Sequence, residues 1–222
     1  MRSFDEIRAI AAKRKGGAAA LDALLDPPAP ASELAAIPDD RWLSCAARCI
    51  FNAGFNWKVV DAMWPGFEEA FDGFEPGRCA MLNDDDIARL ASDTRIVRHG
   101  GKIRSVRENA VLFRELAAEH GSVGRFVADW PDEDYVGLLA LLKKRGSRLG
   151  GNTGQYFLRF MGKDSFVLSR DVVARLVAEG VIDREPSSKS AMAAVQAAFN
   201  GWRAESGRSL KEISRTLAMS IG

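Results

Sequence analysis

An all-α fold, an orthogonal array of short helices in two lobes, is what this sequence predicts, and three observations carry it. Apolar residues recur at three- and four-residue spacing almost everywhere along the chain. Continuous β-branched runs, the mark of buried strands, are absent. Capping residues, carboxylates at helix starts and glycine or proline stops punctuate the chain at short intervals. With 222 residues and 47% apolar content, the chain is long enough for a sizeable core in one compound domain or two small lobes.

The elements follow in order. Phe4, Ile7, Ile10 and Ala11 make one apolar stripe, and Leu21, Leu24 and Leu25 another. Asp26-Pro27-Pro28-Ala29-Pro30 breaks the pattern, because proline fixes φ and removes donors. Residues 1–38 are therefore read as a helical extension and linker, and 39–222 as the main domain. An apolar helix is expected from Asp39 to Phe51, interrupted by Asn52-Ala53-Gly54. Asn56 caps a second helix carrying Trp57, Val60 and Met63, which Trp64-Pro65-Gly66 should stop. Asn83 followed by Asp84, Asp85 and Asp86 joins a cap to carboxylates at the positive end of the helix dipole. Gly100-Gly101 opens a long helix through Ile103, Val106, Ala110 and Phe113, ending near Gly121. Asp132 opens a helix with Tyr135, Leu138, Leu139 and Leu142. A glycine-rich stretch from Gly146 to Gly154 leads into a helix with Tyr156, Phe157 and Phe160. Ser169 to Ala178 is helical, and Ser187 or Ser188 and then Ser209 begin the late helices, with Phe199 and Trp202 read as core.

Composition excludes more than it assigns. No apolar run is long enough to span a membrane, and no apolar signal core follows the charges at residues 1–6. The expected compartment is the cytoplasm. Net charge is +1 and the pI is near 7.7, so any nucleic-acid face must come from local clustering. Cys45, Cys49 and Cys79 form no CxxC pair, and only His99 and His120 join them. They read as small buried hydrophobes in a reducing compartment, and no metal site is expected.

Three constellations can carry chemistry. In Arg148-Leu149-Gly150-Gly151-Asn152-Thr153-Gly154, a glycine turn leads into a helix with Lys143, Lys144 and Arg145 just before it. Free N–H groups at a helix start suit a phosphate, although a plain tight turn explains the glycines as well. Phe166 to Val173 brings Asp171 to a helix start, either as a dipole partner or as a carboxylate that stabilises an electron-poor sugar. Phe51-Asn52-Ala53-Gly54-Phe55-Asn56-Trp57 is a bent junction whose aromatics serve either as core or as a wedge and platform for an extruded base. His99, between Arg98 and Lys102, is read as a loop cap or phosphate contact. Ser209 to Ser214 suits a capped terminal helix.

Taken together, these stretches resemble the bacterial constitutive-type N3-methyladenine DNA glycosylases, within the wider helix-hairpin-helix glycosylase superfamily. The resemblance rests on Ala53-Gly54-Phe55-Asn56-Trp57, on Phe67, Phe71 and Phe74, on Asp84-Asp85-Asp86-Ile87, and above all on Ile96-Val97-Arg98-His99-Gly100-Gly101-Lys102-Ile103. Lys143-Lys144-Arg145-Gly146 and the stretch from Thr153 to Asp171 continue it. It implies a helix-hairpin-helix DNA-binding element, double-stranded DNA with damaged bases as partner, and a monomer without cofactor. Trp57 would stack on the flipped base, with Phe51 and Cys49 beside it. Phe55, Gly54 and Asn52 would wedge the duplex. Gly150, Gly151, Thr153, Arg148, Lys144, Arg98 and Lys102 would hold phosphates.

This sequence departs from the family in three ways. Cys49 stands where the family's base-recognising glutamate belongs. The terminal Cys and His residues of the family's zinc site are missing, so no zinc is expected. Asp171 falls beside the superfamily's catalytic aspartate position, with Ser169 and Arg170 as register alternatives. Strand-cutting relatives resemble each other in a lysine where this chain has Asn152, and no iron–sulfur cysteine cluster follows. The implied activity is therefore monofunctional hydrolysis of the N-glycosidic bond of a damaged, alkylated purine. The alternative is a non-catalytic binder of damaged or distorted DNA on the same fold.

Overall fold

Fourteen α-helices, two short 3-10 turns and no strand make up residues 1–221, which the computed structural model describes. The helices are α1 (Phe4–Lys15), α2 (Ala18–Asp22), α3 (Ala31–Ala36), α4 (Asp39–Asn52), α5 (Trp57–Ala70), α6 (Pro76–Ala80) and α7 (Asp84–Ser92). After them come α8 (Gly100–His120), α9 (Val123–Asp129), α10 (Tyr135–Arg145), α11 (Gly151–Met161), α12 (Arg170–Ala178), α13 (Lys189–Ser206) and α14 (Leu210–Met219). The all-α expectation holds. No helix among the described residues is long and apolar enough to cross a membrane.

Most boundaries follow from capping chemistry. Asn56 Oδ1 accepts from the Lys58 N–H at 3.0 Å at the start of α5. Asn83 with Asp86 and Ser209 with Glu212 form reciprocal capping boxes on α7 and α14. The His99 imidazole caps α8, its Nδ1 accepting from the Lys102 N–H at 3.3 Å. One expected stop fails. The α5 helix runs through Trp64-Pro65-Gly66 to Ala70. An internal proline loses one helix hydrogen bond, but Trp64 and Phe67, stacked with ring centroids 4.8 Å apart, anchor the turns on either side. The short helices α6 and α9 were not legible from periodicity. Glu75 caps α6 and Ser122 caps α9.

The chain divides into two compact units, each assembled from segments distant in sequence. The first comprises Met1–Ala29, Pro131–Leu138 and Gly162–Gly222. Within it α1 packs on α2, α13 and α14, and α12 and α13 also pack on α14. Phe4, Ile7, Phe166, Phe199, Trp202 and Leu217 are fully buried there. Each such side chain contributes about 1.5–3 kcal/mol through burial. The buried carboxylate of Glu179 pairs with Arg2 at 2.8 Å and Arg175 at 3.1 Å. Asp164, also buried, accepts the first two N–H groups of α14.

The second unit comprises Pro30–Trp130 and Leu139–Met161. The 21-residue α8 is its spine, in contact with α4, α6, α7 and α9, while α4 also packs on α5 and α11. Trp42 meets Phe157 edge-on at 5.8 Å, tying α4 to α11. Residues 1–38, read from the sequence as one extension, thus fall into both units, with the division at Pro30.

Candidate functional site

The residues that carry possible chemistry in the second unit lie on α4, α5 and α11. Helix α4 buries Leu43, Ala46, Ala47, Ile50 and Phe51 in the core. Its other face runs Arg41, Ser44, Cys45, Arg48, Cys49 and Asn52, residues three or four apart and so vertically aligned. That face forms one wall of a pocket of about 560 Å³, within the span of roughly 300–1,000 Å³ usual for small-molecule sites. Trp57, Asp61, Trp64 and Glu68 on α5 and Phe160 and Met161 on α11 complete the lining.

Trp57 is the first residue of α5 and is 41% exposed. Its indole meets the rings of Tyr156 at 5.5 Å and Phe160 at 5.9 Å, both edge-on. Phe160 is 54% exposed. A half-open aromatic corner at a pocket mouth offers a flat apolar face to a planar ligand.

The charged groups of the pocket are neutralised within its walls. Arg41 donates to both carboxylate oxygens of Glu68 at 3.0 Å. Ser44 Oγ and Trp64 Nε1 donate to the same carboxylate at 2.6 and 3.1 Å. Burial raises the Glu68 pKa, but these hydrogen bonds together outweigh it and hold the group below the usual glutamate value. Arg48 Nε donates to Asp61 at 2.8 Å, and its guanidinium sits 5.6 Å from the Trp64 ring centre. Cys49 is buried in the wall, and its hydrogen bond with Cys45, together with burial, pushes its thiol far up, so it is neutral. Asn52 is 2% exposed, and its Oδ1 is buried with no hydrogen-bond partner.

The bend after α4 brings Gly54, at φ +77°, and the half-exposed Phe55 to the surface. Lys102 builds this bend. Its Nζ donates to the carbonyls of Phe51 at 3.1 Å and Ala53 at 2.6 Å, and lies 4.4 Å from the Phe55 ring centre. Burial, aided by the nearby Arg148 charge, lowers the Lys102 pKa.

The α10–α11 connection is a tight loop, with Arg148 at φ +59° and Gly151 at φ +57°. The Asn109 amide clamps it from α8. Its Nδ2 donates to the Ser147 carbonyl at 2.9 Å, and its Oδ1 accepts the Ser147 N–H at 2.8 Å. A Cβ at Gly154 would lie 2.4 Å from the Leu149 carbonyl oxygen, so the loop and helix meet there at glycine distance. Lys143, Lys144, Arg148 and Arg98 are exposed, and Thr153 lies in the first turn of α11. Arg145 is engaged by Glu115 at 3.1 Å and Glu119 at 3.6 Å. Arg148 Nε also reaches the Gly101 carbonyl at 3.3 Å, linking this loop to the start of α8.

Three residues have roles other than those expected. Phe51 does not line the pocket. It is one position from Asn52, a turn of about 100° on the helix, and packs at 4.6 Å on Phe67 in the core. Asn52 cannot wedge a duplex, because it is buried in the pocket wall. Lys102 is buried against the end of α4 rather than offered to a phosphate. Trp57 and Cys49 do share the pocket. Asp171 lies in the other unit, exposed in the first turn of α12, where Ser169 is the cap and Arg170 the first helical residue. Sequence reasoning missed Ser44, Arg48, Glu68, Phe160 and Asn109. The polar stripe on α4 and an asparagine inside the long α8 were the available signals.

Comparison with known proteins finds similarity to methyladenine glycosylases over part of the chain. The family model of methyladenine glycosylases matches residues 47–137. DNA-3-methyladenine glycosylase 1 of Escherichia coli (strain K12) is 31% identical over 64 residues. That match takes in 29% of this chain and 34% of the relative, so the chain spans about a third of the relative's length. A structure of 3-methyladenine DNA glycosylase I from Staphylococcus aureus, which addresses its recognition of 3-methyladenine, is 26% identical. It superposes with a TM-score of 0.51 over 56% of this chain and 77% of that one. A glutamate-to-glutamine mutant of 3-methyladenine DNA glycosylase I from Staphylococcus aureus, 24% identical over the same shares, gives a TM-score of 0.50 and shares the fold. Over the segment 47–137, with its Trp57 corner and the Arg98–Ile103 start of α8, the chain is similar to the methyladenine glycosylases.

Proposed function

We propose that this protein is a monofunctional DNA glycosylase. A damaged purine turned out of duplex DNA enters the pocket, and water cleaves its bond to the sugar. The water oxygen bonds to C1′, the C1′–N bond breaks, and the departing base takes up a proton. The observation that carries the reading is the half-exposed Trp57 on the wall of a base-sized pocket, with Phe160 beside it. Stacking on such a face is worth about 1–3 kcal/mol per base. Phe55 and Gly54, at the exposed corner, suit the gap left in the duplex. Lys143, Lys144, Arg98 and Arg148, with the N–H groups of Gly151 and Thr153, suit the phosphate backbone. Gly150 sits in the same loop. Asn152 supplies no amine for a Schiff base, hence hydrolysis without strand cleavage. Asp171 is the carboxylate proposed to stabilise the sugar as the base departs. The proposed setting is cytoplasmic, with double-stranded DNA as partner and the protein as a monomer.

Incubation with methylated genomic DNA should release modified bases. Trp57→Ala should weaken binding to a lesion duplex relative to an undamaged one by about 1–3 kcal/mol. Asp171→Asn should abolish release and spare binding. A second reading, a non-catalytic binder of damaged DNA, draws on Cys49, a neutral thiol that cannot hold a cationic base. Lesion binding with no base released from any substrate would select it.

A further inference from the structure

We propose that Asn52 is the specificity-determining residue of the pocket, and that the pocket takes a neutral base presenting an N–H donor rather than a positively charged one. The inference rests on the glycosylase reading above and narrows its substrate class. Two independent observations carry it.

The first is the orphaned acceptor. Asn52 belongs to the pocket wall, is 2% exposed, and its Oδ1 has no donor. Buried amide oxygens are nearly always satisfied, because an unpaired one forfeits its hydrogen bond to water. Such an atom beside a pocket is a place reserved for a donor brought by a ligand. The terminal amide torsion of asparagine is broad, so a small turn presents the oxygen to an incoming N–H. The neighbours do not compete for it. Lys102 is taken by the carbonyls of Phe51 and Ala53.

The second is charge. The four ionisable side chains of the lining, apart from the thiols, are Arg41, Arg48, Asp61 and Glu68. Glu68 is held by Arg41, Ser44 and Trp64, and Asp61 by Arg48. No carboxylate is left over for a cationic base, whose entry would break one of these pairs or leave its own charge unmatched in a half-enclosed site. An uncharged base meets no such penalty. It supplies the donor that Asn52 lacks and stacks on Trp57.

The test uses the full chain and three duplexes: undamaged, with one O6-methylguanine, and with one N7-methylguanine. Both lesions bear an exocyclic amine, and O6-methylguanine is neutral. N7-methylguanine carries a positive charge in mildly acidic buffer. The protein should bind the O6-methylguanine duplex at least about tenfold more tightly than the N7-methylguanine duplex. Asn52→Leu should weaken binding of the O6-methylguanine duplex by about tenfold, because the amine loses its acceptor, without lowering the melting temperature. Asn52→Asp, which adds a carboxylate, should shift preference toward the charged lesion. Preference of the parent protein for N7-methylguanine, or an Asn52→Leu protein that binds the O6-methylguanine duplex as tightly as the parent does, overturns the inference. Neither result touches the glycosylase reading if Trp57→Ala still weakens lesion binding. Equal affinity of the parent for all three duplexes sinks both.

Discussion

Lys102 shows how a residue can be legible in type and misread in use. A lysine between two glycines and a basic helix face suggests a phosphate contact. Its ammonium instead closes the end of α4, about fifty residues earlier in the chain. No local pattern encodes that meeting, because it depends on how α8 lies against α4. Lys102→Met leaves two carbonyls without a donor and should cost about 1.5–3 kcal/mol in chemical denaturation. It should leave the salt dependence of DNA binding unchanged. Arg148→Met should do the opposite, lowering the slope of log affinity against log salt by about 1. Glu68 gives a pH signature. Its folded pKa lies below the unfolded value of 4.5, so its stabilisation is complete above that value. The contribution is lost as pH falls through the folded value. Thermal melts across the acid range should show Glu68→Gln less stable than the parent near neutrality, with the gap closing as the medium becomes more acidic.

At the scale of elements, capping residues were the most readable part of the chain. Asn56, Asn83, Ser169, Ser188 and Ser209 each begin a helix as their chemistry dictates. Stops were less so. Trp64-Pro65-Gly66 carries two helix breakers, yet α5 continues, anchored by the Trp64–Phe67 stack, and Gly66 is needed where a Cβ would come within 2.6 Å of the Arg95 carbonyl. Tertiary packing decides such cases, and the sequence shows only the local preference. The same reasoning separates two helical glycines. Gly154→Ala drives a methyl against the Leu149 carbonyl at 2.4 Å. It should destabilise the protein by about 1–3 kcal/mol and weaken binding to duplex DNA through the displaced loop. Gly201→Ala, with nothing within 4 Å, should instead stabilise α13 by about 0.5–1 kcal/mol. Paired unfolding curves check both.

For the molecule as a whole, helical class was plain from periodicity, whereas the division into units was not. The proline-rich break at 26–30 marks a boundary, but pattern alone says nothing of which distant segment residues 1–29 join. They join the last helices, and Trp202 Nε1 donates to the Arg2 carbonyl at 3.1 Å. Removing residues 1–29 strips Phe4, Ile7, Ala11 and Leu21 from the core of the first unit. The truncated chain should lose the cooperative melt of that unit and bind a hydrophobic dye, while near-ultraviolet dichroism from Trp42 and Trp64 in the second unit persists.

The embrace of α1 by α13 and α14 also sets a timetable. A growing chain leaves the ribosome N-terminus first, so α1 emerges with its apolar stripe and finds none of its later partners. The second unit has every segment it needs once Met161 has emerged. The first must wait for α14. During synthesis, Phe4 and Ile7 therefore stay open to a holding chaperone until α14 has emerged.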